Sequence, residues 1–261
     1  MSRLSKLSKE NKLFIPFIVC GDPDIETTKE IVLSCVKAGA DVIELGIPFS
    51  DPMAEGTVIM NAYDRAIKAG TTTTKVINML SEIRTLVDIP LVFMTYANVV
   101  YAYKSGIEDF VKEAAAAGID ALILPDVSFE EKAEFSDICD RYNVDFISLI
   151  APSSEDRIEM IAREAKGFIY CVSSLGVTGV RENIDTDIDS MIQRVRKVSQ
   201  IPCAIGFGIS TPKQAKLMAD KADGVIVGSG IVSLCEEYGK EAPAKVFEYV
   251  RGMKEGLIPS I

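Results

Sequence analysis

Short, nearly continuous apolar runs recur along the chain, and longer stretches of mixed polarity separate them. Runs of this length, rich in β-branched and aromatic residues, are typical of strands buried on both faces of a parallel sheet. They occupy residues 14–20, 41–47, 89–96, 119–125, 144–150, 167–173, 201–207 and 223–228. The intervening stretches place apolar residues at three- and four-residue spacing, which predicts amphipathic helices. The clearest of these helices span residues 25–39, 107–118, 130–142 and 154–167.

Eight strand–helix units in a chain of 261 residues predict a closed (β/α)8 barrel, the TIM-barrel class of α/β fold. We expect a single domain over residues 1–261, because no linker rich in Ser, Gly or Pro divides the chain. Two additions to the barrel are predicted: a short N-terminal helix, and an insertion at residues 48–88 between strands 2 and 3. The insertion is expected to hold helices at residues 57–68 and 74–87.

An open, doubly wound sheet is the main alternative architecture. That fold class commonly carries a G-x-G-x-x-G turn or a Walker A loop. The nearest sequence here is Gly206-Phe207-Gly208, which lacks the third glycine because Thr211 occupies its position, and no Walker A sequence occurs. The closed barrel is therefore favoured.

The chain contains no histidine, which excludes whole classes of catalytic site. Ser-His-Asp and Cys-His nucleophilic catalysis, His-bound zinc and a proximal haem histidine all need that residue. Acid and base chemistry must therefore come from carboxylates, Lys, Tyr or Cys. None of the eight apolar runs contains a lysine, which disfavours an imine mechanism.

The net charge of −10 argues against nucleic acid or an anionic membrane as a partner. The six cysteines form no C-x-x-C pair, which predicts buried, reduced thiols rather than a metal site. The apolar run at residues 13–20 is short, is interrupted by Pro16 and ends in Gly-Asp-Pro-Asp, unlike a secretory signal. We therefore expect a cytoplasmic protein without a metal.

Active sites of barrels of this class lie at the carboxyl ends of the strands, and Glu44 stands out there. Strand alternation places Glu44 on one face with Val42 and Gly46. If that face is the interior, desolvation would raise the pKa of Glu44 and let it act as both acid and base near neutrality. Glu55 lies on the following loop, and two carboxylates at one mouth can divide acid and base roles. The alternatives are a structural carboxylate for Glu44 and a solvated loop charge for Glu55.

Glycine-containing turns follow strands 7 and 8, around Gly208 and at Gly228-Ser229-Gly230. Loops at these places form a recurrent phosphate site in barrels, built from backbone amides and a helix N-terminus. The alternative is that these residues only make tight turns and cap the next helices. The loop at residues 173–183 after strand 6 is long enough to serve as a mobile lid.

In order and spacing, several of these segments resemble the tryptophan synthase alpha subunit family. The matching segments lie at residues 14–17, 44–52, 96–98, 176–179, 206–210 and 228–229, so the resemblance covers nearly the whole chain. It implies a lyase of tryptophan biosynthesis that cleaves indole-3-glycerol phosphate to indole and glyceraldehyde 3-phosphate. It also implies no cofactor in this chain and an α2β2 heterotetramer with a pyridoxal phosphate-dependent beta subunit. The insertion around Pro52 and the loop around Asn98 would face that partner.

The resemblance also assigns roles to individual residues. Glu44 matches the family's catalytic glutamate, which protonates C3 of the indole ring and helps to deprotonate the glycerol hydroxyl. Glu55 matches the second carboxylate, near the indole N–H, and Tyr170 matches a tyrosine near the glycerol hydroxyl. The implied phosphate-binding residues are Gly179, Gly208, Gly228 and Ser229. The implied walls of the indole pocket are Phe17, Ile59, Met94 and Phe207.

Two residues depart from the family pattern. The second carboxylate is most familiar as Asp, one methylene shorter than Glu55, and Thr57 stands where Pro is expected. Misplacing a catalytic group by about 1 Å costs on the order of 100-fold in rate. Two alternatives stay open: a degenerate subunit that binds ligand and activates a beta partner, which these departures motivate, and, separately, another barrel enzyme that acts on a phosphorylated sugar.

Overall fold

The strands form one parallel sheet in the computed structural model, which describes residues 2–7, 11–172, 184–206 and 208–257. Every predicted apolar run contributes to this sheet. The strand segments are β1 Leu13–Val19, β2 Ile43–Gly46, β3 Leu91–Met94, β4 Ala121–Ile123, β5 Asp145–Phe146, β6 Ser148–Ile150, β7 Ile169–Val172, β8 Cys203–Gly206 and β9 Gly224–Val227. Their order in the sheet is β5-β4-β3-β2-β1-β9-β8-β7-β6.

The two ends of this order are consecutive in the chain, which closes the sheet into a barrel. β5 pairs with β4 and β6 pairs with β7, and only Ile147 separates the two segments. The Ile147 N–H donates to the Leu122 carbonyl at 3.0 Å, which extends the pairing with β4. Residues 145–150 therefore fill one strand position, and nine segments make an eight-stranded barrel. The predicted TIM-barrel fold is confirmed, and the open sheet is ruled out.

Helices follow the strands and surround the barrel. They are α1 Ile25–Lys37, α2 Thr57–Lys68, α3 Thr73–Arg84, α4 Ala97–Tyr101, α5 Ile107–Ala117, α6 Ala133–Arg141, α7 Ile158–Glu164, α8 Ile184–Val198, α9 Pro212–Lys221, α10 Ser229–Tyr238 and α11 Ala242–Leu257. Short 3-10 turns occupy Arg3–Lys6, Pro152–Arg157 and Gly239–Glu241. The predicted insertion is confirmed, because α2 and α3 both lie between β2 and β3.

The predicted N-terminal helix is a 3-10 turn, Arg3–Lys6, capped by the Ser2 side chain. Its Leu4 is 1% exposed and packs with the residues that fill the barrel. A Cβ placed on Gly167 would lie 2.8 Å from Leu4 Cδ1, so the leucine approaches that glycine closely. One buried leucine therefore anchors the turn to the barrel interior.

Alternation along each strand separates two apolar cores. In β1, Ile15, Phe17 and Val19 belong to the interior of the barrel, whereas Phe14 and Ile18 belong to the layer between sheet and helices. This period of two is the pattern expected for a strand with covered faces. Among the described residues, no helix combines the length and apolar character needed to cross a bilayer.

Candidate active site at the barrel mouth

Glu44 lies on the interior face of β2, where it is 1% exposed. In the parallel register its neighbours are Phe17 on β1 and Val92 on β3. Neither of its carboxylate oxygens has a hydrogen-bond partner among the described residues. Burial, and secondarily the charge of Glu55, raise the pKa of Glu44 to about 8. An uncompensated buried carboxyl is costly to the fold, so this arrangement points to chemistry rather than to structure.

Glu55 also points into the site, from the loop between β2 and α2. Its side chain is buried, and its Oε1 accepts a hydrogen bond from the Tyr96 hydroxyl at 3.3 Å. The same hydroxyl accepts from the Ala54 N–H at 3.1 Å, which ties the loop to the end of β3. Burial raises the pKa of Glu55 to about 7, against the lowering effect of the Tyr96 hydrogen bond. The solvated loop charge considered for Glu55 does not describe this buried side chain.

Burial brings the pKa of both carboxyl groups close to neutrality, to about 7 for Glu55 and about 8 for Glu44. The pair titrates as a unit, because each charge raises the cost of the other. A pair of this kind shares one proton near neutral pH, which provides a general acid and a stabilising anion in one site.

Tyr170 reaches the same interior from β7 and is 6% exposed. A Cβ on Gly206 would lie 2.5 Å from its hydroxyl oxygen, so only glycine at the end of β8 leaves room for this ring. Burial, and then the charges of Glu44 and Glu55, raise the pKa of Tyr170 well above its usual value. The phenol therefore stays protonated and can donate a hydrogen bond.

Apolar side chains from three elements pack in the barrel interior that also holds Glu44. Phe17 and Met94 are buried, and the half-buried Ile59 packs against the same cluster. A Cβ on Gly228 would lie 3.2 Å from Phe17 Cδ1 and 3.6 Å from Ile59 Cδ1. Two predicted pocket residues, Phe17 and Ile59, therefore lie next to one predicted phosphate-binding glycine. Phe207 lies outside the described residues.

The end of β9 leads directly into a helix N-terminus. Gly228 is the N-cap of α10, and Ser229 is its first residue and is exposed. First-turn amides have no acceptor within the helix, and the helix dipole favours an anion at this end. Gly208, after β8, is exposed and has a φ of +73°, a conformation that favours glycine. Gly179 and the predicted lid at residues 173–183 lie outside the described residues.

Other carboxylates at the strand ends are engaged in structural contacts. Asp22 is 1% exposed and pairs with the Arg65 guanidinium through two hydrogen bonds of 2.9 Å. Asp126 accepts from the Ala97 N–H at the start of α4. These contacts leave Glu44 and Glu55 as the buried carboxyls at the mouth of the barrel that are without a charged partner among the described residues. The described part of the chain contains no cluster of His, Cys, Asp or Glu that could hold a metal ion.

Two tyrosines of the site carried no assigned role in the sequence analysis. Tyr96 lies within a matched segment, but nothing in the local pattern links it to Glu55. Tyr63 lies on α2, is 1% exposed, and packs with the barrel interior. Its position four residues after Ile59 on one helix face is the only sequence feature that could have indicated an inward orientation.

Comparison with known proteins agrees with this architecture. A family model described as tryptophan synthase alpha chain matches residues 4–257. The tryptophan synthase alpha chain of Lacticaseibacillus casei is 43% identical over 254 residues, which cover 97% of this chain and 95% of the relative. The alpha chain of Thermoanaerobacter sp. (strain X514) is 46% identical over 248 residues, 94% of each chain.

Solved structures give the same result. The alpha subunit from Legionella pneumophila str. Paris superposes with a TM-score of 0.88 at 32% identity, over 98% of each chain. A chain from the tryptophan synthase α2β2 complex of Pyrococcus furiosus gives a TM-score of 0.84 at 34% identity, over 93% of this chain and 97% of that one. With nearly complete coverage in sequence and structure, the chain belongs to the tryptophan synthase alpha chain family.

Proposed function

We propose that this protein cleaves indole-3-glycerol phosphate to indole and glyceraldehyde 3-phosphate, as the alpha subunit of tryptophan synthase. The observation that carries the proposal is the pair of buried carboxyls, Glu44 and Glu55, with pKa values of about 8 and about 7 at one barrel mouth. The apolar side chains of Phe17, Ile59 and Met94 suit the indole end of this substrate. The N-terminus of α10 suits its phosphate end. The reaction needs no histidine, which agrees with the composition.

In the proposed mechanism, protonated Glu44 delivers its proton to C3 of the indole ring. The ionised Glu55 accepts a hydrogen bond from the indole N–H, whose nitrogen becomes positive on protonation of C3. The bond between C3 and the hydroxyl-bearing carbon then breaks, and its electrons return to the ring. The hydroxyl proton passes to Glu44, the aldehyde forms, and the acid is restored. One proton enters and one leaves, so no external acid is consumed.

The remaining predicted residues bind and orient the substrate. The Tyr170 hydroxyl donates to the glycerol hydroxyl, because its raised pKa keeps it protonated. Phe17, Ile59, Met94 and Phe207 enclose the indole ring. The backbone amides of Gly179, Gly208, Gly228 and Ser229 hold the phosphate. None of these residues binds a cofactor in the proposed mechanism. The only cofactor in the proposal is the pyridoxal phosphate of the beta subunit.

The proposed partner is a tryptophan synthase beta subunit in an α2β2 complex. The insertion after β2 exposes apolar side chains, with Met53 81% and Met60 42% accessible. Asn98, at the start of α4, is also exposed. Such residues on a rim around a catalytic mouth suit a partner that receives the released indole. We also propose that the chain is a single domain and is located in the cytoplasm. Its six cysteines are buried and form no disulfide, which supports a reducing compartment.

The test of function is indole release from indole-3-glycerol phosphate by the purified chain, with and without a beta subunit. We expect indole and glyceraldehyde 3-phosphate in equal amounts, and a higher rate with the partner. A chain that increases beta-subunit activity but releases no indole under either condition would identify a degenerate activating subunit. Turnover of another phosphorylated sugar without indole would identify a different barrel enzyme.

The pH dependence of kcat/KM follows from the two carboxyls. The rate should rise through pH about 7 as Glu55 ionises, and fall through pH about 8 as Glu44 loses the proton that it donates. The result is a narrow bell, measured with the free chain from about pH 6 to 9. In the Glu55→Gln variant the alkaline limb of the residual activity should move to lower pH, because the charge that raises the pKa of Glu44 is removed. A flat profile would contradict the assigned roles.

A further inference from the structure

The Tyr63 hydroxyl shares an unusual property with the Glu44 carboxylate. Among the described residues, three buried side-chain oxygen or nitrogen atoms have no hydrogen-bond partner: the two Glu44 oxygens and the Tyr63 hydroxyl oxygen. Buried polar atoms are nearly always paired in native proteins, so each exception needs an explanation. All three exceptions lie in the barrel interior, which suggests that Tyr63, like Glu44, acts on a group that arrives with the substrate or moves when it binds.

The position of Tyr63 supports this interpretation. A Cβ on Gly46 would lie 3.2 Å from the Tyr63 hydroxyl and 2.5 Å from Phe17 Cζ. Gly46 is two residues after Glu44 on the same strand face, so the hydroxyl lies over the end of β2, beside the Phe17 ring. Because Gly46 carries no side chain, the Phe17 ring and the Tyr63 hydroxyl both pack closely against the backbone at the end of β2.

The groups around Tyr63 determine what its hydroxyl can do. The ionisable neighbours that act on it are Glu55, Tyr96, Glu44 and Cys20, with Glu55 the strongest. Burial and these neighbours raise the pKa of Tyr63 well above its usual value. Tyr63 therefore remains a hydrogen-bond donor throughout the working pH range. Glu55 is the candidate acceptor, because its carboxylate is the charged neighbour that acts most strongly on the Tyr63 hydroxyl.

Glu55 has an oxygen available for such a donor. Tyr96 donates to Oε1, and no second donor to this carboxylate occurs among the described residues. We propose that Tyr63 is a positioning residue whose hydroxyl donates to Glu55 in the substrate complex, so that Tyr63 and Tyr96 hold the carboxylate from two sides. These two hydrogen bonds orient the longer Glu55 side chain toward the indole N–H. The inference rests on the proposed function, because the indole N–H of the substrate is the group toward which the Glu55 carboxylate is oriented.

The test is the Tyr63→Phe variant of the full chain, assayed with its beta subunit. We expect kcat to fall about 10-fold with KM changed less than about 2-fold, because the variant loses orientation rather than binding. We also expect the acidic limb of the pH profile to move to higher pH, because a donor that favours the ionised Glu55 is lost. Glu44, Tyr96 and Tyr170, the other titratable groups facing Glu55, are unchanged in this variant.

Tyr103→Phe is the matched control. Tyr103 is also buried, but it lies in the outer layer, and its hydroxyl donates to Glu113 at 2.6 Å. This variant should keep the kcat and the acidic limb of the wild type, and should lose some thermal stability with its hydrogen bond. Tyr63→Phe should unfold at or above the wild-type temperature, since its hydroxyl is unpaired.

The outcomes separate this proposal from the proposed function. If the wild type releases indole and Tyr63→Phe retains its kcat and acidic limb, the positioning role is wrong and the lyase assignment stands. A loss of stability in Tyr63→Phe with unchanged kcat would show a purely structural tyrosine and would also overturn the role. If the wild type releases no indole under any condition, both proposals are wrong.

Discussion

Replacing Glu44 by Gln is expected to reduce indole release by at least about 1,000-fold while substrate affinity changes less than about 3-fold. Gln has nearly the same shape as Glu but has no proton to deliver to C3 and cannot accept one from the hydroxyl. Glu44 is 1% exposed, so water has little access to replace it as acid or base. No other residue on the interior face of β2 carries a titratable group, because its neighbours there are Val42 and Gly46.

The measurement is single-turnover indole release, with substrate affinity from calorimetry on the same inactive variant. Glu82→Gln is the control, because Glu82 is a surface carboxylate on α3 that bonds Lys29 and is 61% exposed. This control should retain the wild-type rate. Turnover near that of the wild type in Glu44→Gln would show that the acid lies elsewhere, whereas loss of substrate binding would show that Glu44 orients the ligand instead.

The same Glu44→Gln variant should be more stable than the wild type at pH 9, by about 3 to 5 kcal/mol, and only slightly different at pH 5. The pKa of Glu44 is about 8 in the folded protein, against about 4.3 in an unfolded chain. Between these values the folded state holds a proton that the unfolded state has released. The free energy of unfolding therefore falls as pH rises from about 4.3 to about 8, by up to 1.4 kcal/mol per pH unit. Gln remains neutral and avoids this loss.

Urea unfolding of wild type and variant at both pH values measures the difference. Glu82→Gln should give the same small change at pH 5 and pH 9, because that carboxylate lies on the surface. An equal effect of Glu44→Gln at the two pH values would mean that Glu44 is ionised in the folded protein. In that case the acid role and the alkaline limb of the rate profile would both lose their basis.

These two expectations describe one physical compromise. A buried carboxyl without hydrogen-bond partners lowers stability at alkaline pH, and the same desolvation keeps it protonated near neutrality. Function is expected at sites where buried polar groups lack hydrogen-bond partners. Tyr63 fits this description as well, since its hydroxyl is also buried without a partner among the described residues.

The architecture followed from local pattern, because periodicity along the chain reflects the environment of each side chain. Apolar runs and amphipathic stretches predicted the barrel, and the insertion helices were predicted within a few residues of Thr57–Lys68 and Thr73–Arg84. The split of the fifth strand around Ile147 was not predicted, because the run at residues 144–150 is continuous in sequence. Barrel closure alone decides which neighbour each half of that run pairs with.

The candidate site divides in the same way. Local pattern was enough to place Glu44 on one strand face with Gly46, since side chains alternate with a period of two. The folded barrel was needed to show that this face is the interior, that Glu55 meets Tyr96 across 41 positions of sequence, and that Tyr63 lies in the same interior. Protonation order is likewise a tertiary property, because desolvation and neighbouring charges set the pKa of each carboxyl. Those neighbours come together only when the barrel closes.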